Sequence, residues 1–381
     1  MATGAGLRSE GMTLGEKLWR VNWSLVLLLC LTAAIGFAML YSAANGRWDP
    51  WASRQAMRFG AGLGLLFLAA LIHIRLWLRY AYIVYGASFV LLVAVELAGV
   101  IGMGATRWIN LGFFQFQPSE VMKIALVLAL ARYFHAVALE DVNRPRHLVV
   151  PLLLILAPAA MVLRQPDLGT ALMLVMIGGA VLVTTGIRLW KFALAGGAAL
   201  AAIPVAWQFL RGYQKQRVLT FLNPETDPLG AGYHIIQSKI ALGSGGLVGK
   251  GFLQGTQSHL NFLPEKQTDF IFTMLAEEFG LFGGLGLLGL YALIIGWGIA
   301  IALRSRSQFG RLLAMGVTST FFLYVFINIA MVMGLIPVVG VPLPLISYGG
   351  TAMLSLMLGF GLVVCVFVHR DVQLGKQGGL P

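Results

Sequence analysis

Charge is scarce in this chain. Only 11% of its 381 residues are Asp, Glu, Lys or Arg, against about 25% in soluble domains. A soluble globule needs a wetted exterior. With 58% hydrophobic residues and a mean hydropathy of +0.82, too little polar surface remains to make one. Soluble multidomain folds are therefore excluded. Acid is scarcer still: 15 Asp and Glu against 27 Lys and Arg, a net charge of +12. In a soluble protein that excess would point to nucleic acid. In a chain of spanning segments, basic residues instead collect on the cytoplasmic side against anionic headgroups, and no nucleic-acid partner is expected. Cysteine is nearly absent. Cys30 and Cys365 both lie inside apolar runs, which excludes a disulfide framework and a thiolate zinc site. The six histidines are scattered, and no pair has metal-ligand spacing. No internal repeat is visible, which weakens a reading as an inverted-repeat transporter.

What is abundant is long apolar runs. A spanning helix needs about 20 such residues. Runs occur near 22–42, 58–75, 79–102, 118–137, 148–163, 168–187, 190–209, 270–303, 309–334 and 350–369. The first is too long for a signal-peptide core and reads as a retained signal anchor. The 148–163 run is short for a span. The 270–303 run is long, and its Glu277 and Glu278 are expected at or above the headgroups. With the N-terminus inside, the inner loops and termini carry 15 Lys or Arg and the short outer loops five. That bias supports N-in and C-in. The expectation is an all-α polytopic membrane protein of one domain over 1–381, with about ten transmembrane helices. One large extracytoplasmic loop, 210–269, joins helices seven and eight. Long loops of this kind are usually functional or disordered. Within it, Tyr233–Leu242 has the pattern of a short interfacial amphipathic helix.

Each candidate site has a plainer reading beside it. Gly243–Gly251 (GSGGLVGKG) resembles a phosphate loop but fails the Walker A pattern at Ser244 and Gly251. Tight turns against the membrane are the plainer reading, and a cradle for a lipid-linked phosphate the sharper one. Glu120 and Lys123, behind Pro118 and Ser119, share one face of a helix start. Each would cost roughly 2.5–3.5 kcal/mol at the bilayer centre. They form either a packing ion pair or part of an outward-facing substrate cavity. In the cavity reading, Lys123→Met weakens turnover more than folding. Asp167, in QPDLGT, suits a helix N-terminus. Glu96 lies deep in the third span, where a packed or protonated carboxylate is the plainer reading. Arg107 and Trp108 suit an interfacial anchor, or Arg107 could clasp a pyrophosphate. Asp269 closes the long loop where polar chain meets apolar span. A half-desolvated carboxylate there rises toward a general base's range. The plainer alternative is that Thr268 or Asp269 caps the eighth span.

At these residues the chain resembles a known family, SEDS (shape, elongation, division and sporulation). The match is carried by Arg107–Asn110, Gln117–Lys123, Gln165–Thr170, Gln237–Ser238, Gly243–Gly246, Pro264–Glu265 with Thr268–Phe270, and Leu343–Gly350. Several unrelated motifs in the right order make it specific, and it covers nearly the whole chain. The resemblance implies a peptidoglycan glycosyltransferase acting on lipid II, an inverting polymerase with Asp269 as the essential carboxylate. Glu120, Lys123, Trp108 and Asp167 fall on family positions. Arg107, Gln237, Ser238, Thr268 and Ser347 join them as supporting positions inside the matching motifs. The implied partners are a class B penicillin-binding protein and an elongation complex with Mre proteins. Leu275–Glu278 and His369–Arg370 favour an elongation role over a division role. Many relatives have His before the Thr-Asp pair; here Gln267 stands there, so a histidine proton relay is not available. No cofactor is evident in the sequence. Metal dependence stays open, since a magnesium or manganese ion could bridge pyrophosphate and carboxylate without leaving a motif. The runner-up is a lipid II flippase or other lipid transporter, and a non-catalytic scaffold is a third reading.

Overall fold

The fold was obtained as a computed structural model, which describes residues 12–98, 100–102, 105–110, 115–138, 140–209, 212–223, 225, 231–260, 262 and 265–375. A short helix α1 (Leu14–Trp19), closed by a capping box between Thr13 and Glu16, precedes α2 (Trp23–Ala43), α3 (Ala52–Leu71) and α4 (Ile74–Ala98). Three short antiparallel strands follow, β1 (Val100–Gly102), β2 (Ala105–Asn110) and β3 (Gln115–Phe116). Next come α5 (Pro118–Ala136), α6 (Arg146–Arg164), α7 (Leu168–Thr184) and α8 (Leu189–Phe209). Then α9 (Gly212–Leu222), α10 (Ala231–Ser244) and α11 (Thr256–His259) precede α12 (Ile271–Arg304), α13 (Gln308–Val332) and α14 (Gly350–Val368). Each of the ten apolar runs coincides for most of its length with one of these helices. Six of these, α2, α4, α6, α12, α13 and α14, are long and apolar enough to cross a membrane. The helix α7 and the Leu189–Val205 stretch of α8 are shorter apolar segments.

Burial ranks the helices. The apolar windows of α13 and α14 are 72% and 78% buried, those of α4 and α6 only 28%. In α5 every residue from Met122 to Ala131 is buried. A helix apolar all round belongs inside, and α5, α13 and α14 form the centre. Helix α3 packs on α14, α4 on α5, and α12 on α13. One end of the bundle is tied by Lys17 Nζ donating to the Leu71 carbonyl (2.9 Å), the Arg20–Asp371 pair and Arg306 N–H donating to the Arg370 carbonyl. The other end gathers the strands, the loop helices and the segment between α13 and α14.

Two expectations need correction. The small sheet departs from a purely helical chain. Its residues around Arg107 pair locally, with Val100 opposite Trp108 and Ile109 opposite Phe116. Glu96 is exposed near the end of α4 rather than deep within the bundle. Glu277 and Glu278 are enclosed by protein, at 0% and 1% exposed. The reason is a break in α12 at Gly280 (φ 65°, ψ −161°), a backbone region that strongly favours glycine.

The Gly-rich run fills that break. Lys250 and Gly251 N–H donate to the Glu277 and Glu278 carbonyls, each at 3.0 Å. Leu281 and Phe282 N–H donate to the Gly246 and Leu247 carbonyls at 2.9 and 3.1 Å. These bonds satisfy the backbone groups that a helix break orphans. A Cβ on Gly245 or Gly249 would strike the carbonyls of Ala276 or Glu278. The run turns after α10, and the surface it packs on is α12. Glu277 receives Lys250 Nζ at 2.8 Å and Gln257 N–H at 2.9 Å, and the Ser42 hydroxyl donates to Glu278.

Candidate active site

Asp269 lies in a hydrogen-bonded turn that leads into α12. Thr268 and Phe270 N–H both donate to the Glu265 carbonyl, at 3.1 and 3.3 Å. The Thr268 hydroxyl donates to the Glu265 carboxylate at 2.8 Å. The N-cap of α12 is Phe270, with no side-chain bond. Neither Thr268 nor Asp269 caps the helix, so the plainer reading of Asp269 falls away. Its side chain is partly exposed.

Two neighbouring segments fix the turn. Asn328 of α13, fully buried, donates Nδ2–H to the Asp269 carbonyl at 2.9 Å and to the Val341 carbonyl at 2.7 Å. Ser347 Oγ donates to the Thr268 carbonyl at 2.6 Å and accepts from Leu343 N–H at 2.7 Å. Tyr348 N–H donates to the Gln267 carbonyl at 2.8 Å. Ser347 therefore acts as a staple between backbones. Gly340, at φ 72°, faces the carboxylate: a Cβ there would lie 3.6 Å from Asp269 Oδ2.

Glu120 and Lys123 are paired as the spacing predicts, with Nζ to Oε1 at 2.7 Å. The pair is more enclosed than a cavity wall, at 5% and 2% exposed. It also has a third member. The Tyr324 phenol accepts from Lys123 and donates to Glu120 Oε2, and Ser355 Oγ donates to the same carboxylate at 3.4 Å. Lone-pair and proton demands are met inside the bundle, which is what keeps buried charges tolerable.

Asp167 caps α7: its Oδ1 accepts Thr170 N–H at 3.1 Å and its Oδ2 the Thr170 hydroxyl at 2.9 Å. Arg107 reaches it across the small sheet, Nε to Oδ2 at 3.5 Å, and donates to the Pro166 carbonyl at 2.7 Å. The Arg107 side chain keeps 30% exposure. Asp167 and Asp269 border the same stretch of chain. A Cβ on Gly169 would meet the Val339 carbonyl at 2.7 Å, and the next residue, Gly340, faces Asp269.

Other sequence-derived positions behave differently. Ser238 is fully buried, its hydroxyl 2.9 Å from Thr273 Oγ1 and 2.8 Å from the Val332 carbonyl, where it pins α10 to α12 and α13. Gln237 beside it is half-buried, as is Trp108 on β2. The Gly243–Gly251 run serves packing as described above. Tyr324 and Asn328 were missed. Both lie within an apolar span, and a lone Asn or Tyr there is a polar group at depth, the signal that could have flagged them. Among the described residues no three His, Cys, Asp or Glu side chains gather in one place.

The geometry thus offers a partly exposed carboxylate on a hydrogen-bonded turn, a partly exposed guanidinium on the neighbouring sheet, and a neutral buried charge cluster on the supporting helices. Comparisons with known proteins give this arrangement a context. The family model described as FtsW, RodA and SpoVE, cell cycle protein, matches residues 22–372. The peptidoglycan glycosyltransferase MrdB of Escherichia coli K12 is 47% identical over 350 residues, covering 91% of this chain and 94% of that protein. A chain solved in work on the structural coordination of polymerization and crosslinking by a peptidoglycan synthase complex superposes with a TM-score of 0.79 at 38% identity. That match covers 92% of this chain and 98% of the other. The rod shape determining protein RodA of Thermus thermophilus superposes with a TM-score of 0.69 at 33% identity, covering 92% and 97%.

Proposed function

The chain belongs to the FtsW, RodA and SpoVE family of cell cycle proteins, and from that premise we propose that it is a peptidoglycan glycosyltransferase polymerising lipid II into β-1,4 glycan strands during cell elongation. The observation that carries this reading is Asp269. It is a part-exposed carboxylate that does not cap α12, on a turn whose Gln267, Thr268 and Asp269 carbonyls are bonded to α13 and the 343–348 segment.

In this mechanism Asp269 removes the proton from the acceptor sugar's 4-hydroxyl. The oxygen attacks the donor's anomeric carbon from the face opposite the leaving group, and the carbon–oxygen bond to the pyrophosphate breaks. The electron pair leaves with the pyrophosphate. One positioned base typically contributes about 10²–10⁴-fold. Arg107, a partly exposed cation paired with Asp167, meets the developing phosphate charge. Lys123 is already bonded to Glu120 and Tyr324 and contributes as part of a neutral, oriented dipole rather than as a free cation. No step is assigned to a magnesium or manganese ion.

The membrane arrangement belongs to the same proposal. Ten helices cross the bacterial inner membrane with both termini in the cytoplasm, and the Asp269 end faces the periplasm. Undecaprenyl chains lie between helices. The partner is a class B penicillin-binding protein that crosslinks the emerging strand, within an elongation complex containing Mre proteins.

The test is polymerisation of lipid II by purified wild type and Asp269→Asn, with and without the partner. We expect a loss of at least a hundredfold in the variant with an unchanged melting temperature. Wild-type rates from D269N would remove the base assignment.

A further inference from the structure

Beside the Asp269 turn, on the side of the α2–α3 connection, lies an open cavity of about 220 Å³ that the mechanism above does not use. Its apolar floor comes from Ala43, Ala44, Pro50 and Trp51. Its polar wall holds Asn45, Arg47, Asp49 and Lys266. Two of these are cations and one is an acid, and the acid already accepts the Ser53 hydroxyl at 2.5 Å. Lys266 is the unusual member. It is 5% exposed, and burial lowers its ammonium below the usual lysine range.

Position sharpens the chemistry. Lys266 and Asp269 share one turn, closed by the Thr268 and Phe270 bonds to Glu265. Three residues of chain span at most about 11 Å, so the cavity wall and the base lie within reach of one sugar–peptide unit. A part-buried indole beside proline offers a flat apolar face to a sugar ring, and two cations beside it select a carboxylate.

On the reading that the chain polymerises lipid II, we propose that the cavity lined by Trp51, Arg47 and Lys266 is the acceptor subsite for the carboxylate-bearing stem peptide of the incoming sugar. It holds that peptide so that the 4-hydroxyl meets Asp269, and it selects the free carboxylate over its amide. Arg47 and Lys266 are positioning residues for the acceptor; they do not touch the reacting atoms.

The experiment compares two lipid II preparations, one with a free side carboxylate on the stem peptide and one with that group amidated. The full-length protein is assayed with Arg47→Gln, Lys266→Gln and Lys266→Arg. The wild type should show a KM about tenfold lower for the free carboxylate. R47Q and K266Q should erase that preference by raising KM for the carboxylate form alone, with kcat retained. K266R should restore it. Equal KM for both substrates in the wild type, or variants that alter kcat with unchanged KM, overturn the proposal. Should K266Q unfold, R47Q at an exposed position decides by itself. A wild type that polymerises neither substrate refutes the glycosyltransferase reading instead, so the two failures are distinguishable.

Discussion

Removing the ammonium of Lys123 should damage folding first. The group is 2% exposed, and its loss leaves Glu120, 5% exposed, with a buried carboxylate facing only Tyr324 and Ser355. Breaking a buried pair on one side costs about 3–5 kcal/mol, because the surviving charge stays desolvated. That is a large share of a typical stability of about 5–15 kcal/mol. Lys123→Met should therefore lower the melting temperature sharply, contrary to the cavity reading's expectation that turnover would suffer more than folding. Glu120→Gln with Lys123→Met removes both charges and keeps a partner for the Tyr324 hydroxyl. Replacing both members of a buried pair is often neutral or better, so the double variant should recover most of the lost stability. The assay is thermal denaturation in one fixed detergent, with lipid II polymerisation measured per folded molecule. A K123M protein as stable as wild type, or a double variant no more stable than K123M, would refute the reasoning. A folded double variant that has lost turnover would assign the pair an electrostatic part in the chemistry as well.

Three further outcomes follow from single contacts. Asn328→Ala removes the bonds to the Asp269 and Val341 carbonyls; each buried acceptor left open costs about 1–3 kcal/mol, and kcat should fall more than KM rises, read from initial rates against substrate concentration. Gly280→Ala forces a side chain into φ +65° against the Gly249 and Leu247 backbone, which strands the Lys250–Glu277 clamp; folded yield in detergent should drop while Gly286→Ala, in open space, should not. Burial pushes the His369 imidazole down to about 4 from 6.5. The unfolded chain therefore takes up that proton before the folded one, so the contribution is present above pH 6.5 and is lost as pH falls through about 4. Its full size is about 3 kcal/mol, and His369→Asn should flatten the melting temperature between those pH values.

The parts legible in the sequence were the local ones. Glu120 and Lys123 could be paired because three residues on a helix make neighbours. Asp167 could be placed because a cap and its helix are adjacent in the chain. The apolar runs located every long helix. What escaped depends on contacts across the fold. Tyr324 completes the charge cluster from 201 residues away from Lys123. The 270–303 run looked like one long helix, because Gly280 has other glycines close behind it and nothing local marks which one breaks. The Gly-rich run was read as turns, but the helix it docks on lay outside any window of sequence.

These missed residues share an element, and that changes how the site is understood. Tyr324 and Asn328 are four apart on α13 and so lie on one face. One bonds the buried Glu120–Lys123 pair, and the other bonds the turn carrying Asp269. The buried pair on α5 and the turn carrying Asp269 are both bonded to α13. A shift of α5 against α13 would move Tyr324, and with it the frame that sets the height of Asp269. On the proposed reading of Asp269 as the base, the buried pair acts on it through α13, and the neutral double replacement is the variant that separates holding the base in place from acting on the substrate.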